Sequence, residues 1–247
     1  ASAQVQTPLY AGWDDRRQGA YGRVDLQVAR RVGDRGVARA GVSSIGRLRD
    51  DRGQGAFHEV AAVAGNHDWA LLGKISEESF NPYARAALEW TRAKISPEAR
   101  DFLEALPLRI DTEHFCLVHG ALPNPEEFEY LQSFPTALAT LADFDAPIGF
   151  VGHTHVPMNF IQNPGSSELE WHFQVDWHLE KGQRAVVNVG SPGQPRDEIP
   201  TAPAVVYNLQ TGRVQLLRTP YNIAAEQRLI RKANLPAILG DRLQHGI

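Results

Sequence analysis

The 247-residue chain reads as an α/β fold, with helices packed on sheets. Two observations lead there. Short apolar runs of strand length alternate with helix-length segments along most of the chain. Several of those runs break directly into a polar loop that contains glycine, at Gly65, Gly120, Gly152 and Gly190. Sheets packed against helices place ligands beyond the ends of their strands, so these loops are where a site would gather.

Residues 1–60 stand apart, with ten arginines, no lysine and hardly any buried apolar run. Only Val24, Leu26 and Val28 alternate as a strand does. The division is therefore an atypical N-terminal segment over 1–60 and one domain over 61–247. The run Val60 to Ala64 predicts a buried strand breaking into a loop at Gly65. Asn81-Pro82 and Ser96-Pro97 each join an N-cap side chain to a proline at the first helical position, so a helix follows each pair, the second closing at Pro107. Phe115 to Val118, Ile148 to Val151 and Ala185 to Val189 are the remaining strands that end in glycine loops. The stretch 162–183, with Trp171, Phe173 and Trp177, reads as an inserted loop or ribbon that either overhangs the site or covers a sheet edge. Residues 202–221 predict a hairpin turning near Thr211-Gly212, and about Ala224 to Ala233 a closing helix.

Hydrophobic residues make up 43% of the chain, enough for a sizeable core. A net charge of −4 gives no electrostatic case for nucleic acid or for an anionic membrane surface. No apolar run approaches the roughly 20 residues of a membrane helix. A single cysteine, Cys116, excludes an internal disulfide and points to a reducing, cytoplasmic setting. Its mid-strand place makes it a small core residue.

Nine histidines are present, and His67, His119, His153 and His155 fall in the strand-end loops. Asn66 precedes the first of them. Neutral imidazole and amide oxygen suit borderline divalent metals such as Zn²⁺, Mn²⁺ or Fe²⁺. On an extended loop, side chains at i and i+2 point to one side, so His153 and His155 are expected to face a single site. Asp68 is placed to orient the His67 ring. His58, His114, His172, His178 and His245 have no such setting and read as surface or hydrogen-bonding residues. Trp69 reads as packing at the rim.

Gly65-Asn66-His67-Asp68, Val118-His119-Gly120 and Gly152-His153-Thr154-His155 resemble, in order and in setting, three successive motifs of the calcineurin-like metallophosphoesterases. The loop Val189 to Asp197 resembles the one that follows them in small bacterial and archaeal members. The resemblance covers about residues 60–247. It implies a four-layer αββα sandwich of two mixed sheets flanked by helices. It also implies two divalent ions (Mn, Zn, Fe or Ni) and a small phosphate-ester substrate. Asn66, His119 and His153 would ligate one ion and His155 the other. His67 would protonate or stabilise the leaving oxygen, with Asp68 orienting it. The implied chemistry is hydrolysis of a phosphate mono- or diester by a metal-activated hydroxide. The family's first motif, Asp-x-His, has no counterpart here, since no histidine precedes His58. Of the second motif only Gly33-Asp34 is in place, so Asp34 is the candidate bridge between the ions. With one site better furnished than the other, the alternative is a noncatalytic protein that binds a metal or a phosphate-bearing ligand.

Overall fold

The computed structural model describes residues 62–247 and, ahead of them, the backbone of three short strands, β1 (Thr7–Leu9), β2 (Val24–Asp25) and β3 (Arg47–Leu48). Leu26, Val28 and Asp34, named above as strand and ligand candidates, lie outside the described residues. The helices are α1 (Asn66–Leu72), α2 (Pro82–Arg92), α3 (Pro97–Glu104), α4 (Phe134–Ala142), α5 (Ile223–Lys232) and α6 (Ile238–Asp241). The further strands are β4 (Arg109–Asp111), β5 (Phe115–Val118), β6 (Ile148–Val151), β7 (Met158–Gln162), β8 (Leu169–His172), β9 (Asp176–His178), β10 (Arg184–Asn188), β11 (Ala202–Tyr207) and β12 (Arg213–Thr219). No described helix is long and apolar enough to cross a membrane.

The expected caps form. Asn81 Oδ1 accepts from the Ala84 amide at 2.9 Å, and Ser96 Oγ from that of Ala99 at 3.2 Å. Each satisfies an N–H that the first helical turn leaves without a partner.

One sheet runs β4-β5-β6-β10-β7-β8 and is mixed: β5, β6 and β10 are parallel, and the other pairings are antiparallel. The other runs β1-β11-β12-β9 and is antiparallel in every described pairing. The 162–183 stretch is an edge ribbon. Its β8 borders the first sheet and its β9 the second.

The alternation of side chains along the strands divides the core in two. Leu117, Ile148, Phe150, Ala185 and Val187 point at Val205, Tyr207 and Val214 of the opposing sheet. Cys116, Val118, Val151 and Val186 point the other way, toward Ala137 and Leu141 of α4. Burying each of the larger side chains stabilises the fold by about 1.5–3 kcal/mol. Gly149 belongs to the second set. A Cβ there would lie 2.8 Å from the Phe144 ring, so a glycine is what lets that ring approach β6 so closely. Cys116 is fully buried, and burial pushes its thiol up to about 12, which makes it inert.

Of the first expected strand only residues 62–64 are described; they are buried, have no strand pairing among the described residues, and the Ala64 amide donates to the Pro107 carbonyl at 2.8 Å. Val60 and Ala61 lie outside the described residues.

A candidate metal centre at the strand ends

Asn66, His67 and Asp68 sit in the first turn of α1 rather than in a loop. The reason is local. Asp68 Oδ2 accepts from the Gly65 amide at 2.8 Å, the reach-back of a capping box. Its carboxylate thereby holds the backbone turn that carries Asn66 and His67. Burial pushes Asp68 up to about 7, against the opposing pull of that amide.

His119 follows β5 directly, and Gly152 to His155 follow β6. These are carboxyl ends of neighbouring parallel strands, held in step where the Gly152 amide donates to the His119 carbonyl at 2.9 Å. His119 Nε2 lies 3.2 Å from Asn66 Oδ1 and 3.1 Å from His153 Nδ1. Three donor atoms from three segments thus converge. Ligands at about 2.0–2.1 Å from a metal are separated by roughly 3.0–3.4 Å along the edges of its coordination shell, so the spacing suits a common ion. In the metal-free chain a proton on His119 Nε2 can join the three atoms, and an ion at their centre would replace it.

His153 and His155 do not lie on an extended loop. Both have left-handed backbone, at φ 63° and 65°. The i, i+2 argument therefore does not apply, and each ring is placed separately. His155 Nδ1 donates to the Gln194 carbonyl at 2.7 Å, which leaves its Nε2 as a lone-pair donor. The ring of His153 accepts its place from two neighbours that sequence reading missed. Tyr130 stacks on it, with centroids 4.0 Å apart, and the Phe128 main chain hydrogen-bonds it. Phe128 also meets the His119 ring edge-on at 6.0 Å.

A third missed residue, Asn188, ties the loop down. It is 1% exposed, donates to the Gly152 carbonyl at 2.7 Å and to Thr154 Oγ1 at 2.8 Å, and accepts from the Gly190 amide at 3.0 Å. Its place at the end of β10, before a glycine, was the available signal.

All four histidines are neutral near pH 7. Burial lowers His67 to about 4, aided by the Arg196 charge. Burial and then its neighbour His67 lower His153 to about 4. Burial and then Arg196 lower His155 to about 3. His119 falls well below its usual value through burial and the imidazoles around it. Neutral imidazole is the ligating form, so these rings are ready for a metal at physiological pH. Arg196, whose amide donates to the His155 carbonyl at 3.1 Å, brings a fixed positive charge within reach of His67, His153 and His155. Trp69 packs edge-on against Phe128 at 5.5 Å.

A model of the calcineurin-like phosphoesterase superfamily domain matches residues 32–212. The chain belongs to that superfamily. Its members generally use divalent metal ions. An uncharacterized protein of Methanocaldococcus jannaschii is 33% identical over 186 residues, 74% of each chain. The crystal structure of a metallophosphoesterase from Sphaerobacter thermophilus is similar with a TM-score of 0.63 at 36% identity, over 75% of this chain and 76% of that one. A hypothetical protein from Pyrococcus horikoshii OT3 shares the fold at 20% identity, with a TM-score of 0.57 over 76% and 74% of the two chains. Two sheets flanked by helices are the architecture of this superfamily and of this chain.

Among the described residues the donors gather about one point. Among the described residues no group of three or more His, Cys, Asp and Glu side chains has a metal-holding arrangement. The set found here is two imidazoles and an amide oxygen. The His155 ring is fixed separately, through Nδ1 on the Gln194 carbonyl, and Asp34 lies outside the described residues.

Proposed function

We propose that this chain hydrolyses a phosphate mono- or diester with the help of a divalent metal (Mn, Zn, Fe or Ni) held by Asn66, His119 and His153. The observation that carries this reading is that His119 Nε2 lies 3.2 Å from Asn66 Oδ1 and 3.1 Å from His153 Nδ1. When bound, such an ion supplies an activated water and neutralises charge on the phosphoryl oxygens. The chain's own residues do the rest. Arg196 draws the anionic ester toward the rings and offsets its charge. His67 is neutral in the free site. A phosphate beside it raises its affinity for a proton, so substrate and proton arrive together. As the bond between phosphorus and the leaving oxygen breaks, His67 is placed to give that proton to the leaving oxygen. Asp68 keeps His67 in position through the first turn of α1. His155 Nε2, with Asp34, would serve a second ion. A cytoplasmic setting agrees with the single buried cysteine.

The test is metal uptake. Titration of the chelated protein with Mn²⁺ or Zn²⁺ should show at least one tight equivalent. His119→Ala and His153→Ala should each weaken it by tenfold or more, on the order of what even an outer-shell partner contributes. Uptake unchanged in both variants would contradict the reading. The second reading, a noncatalytic binder of a phosphate-bearing ligand, is favoured by the absence of an Asp-x-His motif from the sequence. One bound ion with phosphate affinity and no turnover is its signature.

A further inference from the structure

Strand alternation puts Val214, Leu216 and Arg218 of β12 on one face, and the first two belong to the core between the sheets. The row therefore ends in a charge at the border of that core. Beside it lies a cavity of about 400 Å³, within the range of small-ligand sites. Val187 of β10 and Val205 of β11 give it walls from both sheets, and Trp177 of β9 adds its ring. Phe173, Val175 and Ile199 also line it. They are 56%, 55% and 45% exposed, so they mark its mouth. None of Asn66, His67, His119, His153 and His155 borders it.

Four buried polar atoms on the lining residues have no hydrogen-bond partner among the described residues: Trp177 Nε1, Arg196 Nε, Asp197 Oδ1 and Arg218 Nη1. Trp177 is only 7% exposed. Asp197 and Arg218 form one ion pair, joined through Oδ2 and Nη2, so the pair keeps one unused acceptor and one unused donor. A buried polar atom without a partner costs stability, and four around one cavity point to an occupant. Water satisfies such atoms but gains nothing from Val187, Val205, Val214 and an apolar mouth. The charges bordering the cavity balance, Arg196 and Arg218 against Asp197 and Glu198. An occupant with a net charge would bury it there without a free counter-charge.

We propose that this cavity is a binding site for a small neutral molecule with an apolar body and a carboxamide or lactam group. The ligand's N–H donates to Asp197 Oδ1, its carbonyl accepts from Arg218 Nη1 or Trp177 Nε1, and its apolar body packs on the valines. A carboxylate has no proton to offer Asp197, and a hydrocarbon leaves the polar atoms unpaired. The cavity shares Arg196 and Asn188 with the surroundings of the metal centre, but its chemistry needs neither a metal nor the phosphoester reading.

The test is a titration of the full chain with benzamide, benzoate and toluene, followed by nuclear magnetic resonance at the Trp177 indole N–H, which Trp177→Phe identifies. The expected result is that benzamide moves this resonance saturably and binds about tenfold more tightly than benzoate or toluene. Asp197→Asn leaves the bordering charge net positive, so benzoate gains and the preference for benzamide over it disappears. No saturable shift with benzamide would mean that the cavity holds water alone, and would overturn the proposal. Benzoate or toluene bound as tightly as benzamide by wild type would overturn it, as would a preference for benzamide over benzoate that survives Asp197→Asn. If Asp197→Asn does not fold, Val175→Trp replaces it, since this position is at the exposed mouth and the larger ring obstructs entry. Benzamide affinity lost in that variant supports the proposal, and affinity unchanged overturns it.

Discussion

His153 and His155 share a backbone conformation that few side chains with a Cβ adopt, and that geometry separates their rings. Each left-handed residue costs on the order of 1–2 kcal/mol, so something must hold them. Asn188 does, by bridging Gly152, Thr154 and Gly190 from a fully buried position. Asn188→Ala removes those bonds and leaves buried groups without partners. It should cost about 2–4 kcal/mol, read as a shift of the denaturant midpoint, and should weaken metal uptake as the loop loosens. A midpoint within error of wild type would show that the loop is held by other contacts.

The histidines also set a pH dependence for the metal-free protein. Their native values, about 4 for His67 and His153 and about 3 for His155, lie below the 6.5 of the free side chain. Between pH 6.5 and 4 the unfolded chain therefore binds more protons than the native one. Stability falls as the pH falls through that window, by about 1.4 kcal/mol per pH unit for each group. Asp68 works in the other direction. Raised to about 7 from 3.8, it favours the native state at low pH and loses that contribution as the pH rises. Several imidazoles outweigh one carboxyl. The melting temperature in chelator should drop between pH 6.5 and 4.5, and added Mn²⁺ should recover it above pH 6. A melting temperature that rises on acidification would contradict the burial of these rings.

At the scale of elements, the site depends on three strand ends and one helical turn, and these were unequally legible in the sequence. Strands β5, β6 and β10 declare themselves as apolar runs broken by glycine. Helices α2 and α3 declare themselves by Asn81-Pro82 and Ser96-Pro97. The turn at Gly65 reads in sequence as a loop although it opens a helix, because the capping-box signal of Asp68, three positions on, is easily passed over beside a histidine. Helix α4 went unread. Its nine residues, FPTALATLA, carry no charge and only a shallow apolar stripe, since they lie on β10 and the ring of Phe144 covers β6 beside them. Tyr130, Phe128 and Asn188 were invisible for a different reason. Their roles arise from a loop folding back and from a side chain reaching between strands, and neither leaves a periodic trace. The fold-back can be tested through Gly120. Gly120→Ala sets a methyl against backbone and should destabilise the protein by about 1–3 kcal/mol, and should weaken metal binding by displacing Phe128 and Tyr130. Gly149→Ala meets only the Phe144 ring, and should cost stability without changing metal affinity. Equal effects of the two on metal uptake would argue against the loop's part in the site.

For the whole molecule, two sheets with apolar inner faces and helices outside bring the ends of the parallel strands to one place, where the neutral imidazoles, an amide oxygen and one arginine gather. That arrangement supports metal-dependent attack on a phosphate ester more directly than any other chemistry. The most direct test is the rate of hydrolysis of bis(4-nitrophenyl) phosphate by the purified chain in added Mn²⁺, after chelation, and after Mn²⁺ is restored. The expected result is turnover that chelation abolishes and Mn²⁺ returns, and that His119→Ala loses under all three conditions. Turnover indifferent to chelation, or none at any metal concentration, would contradict it.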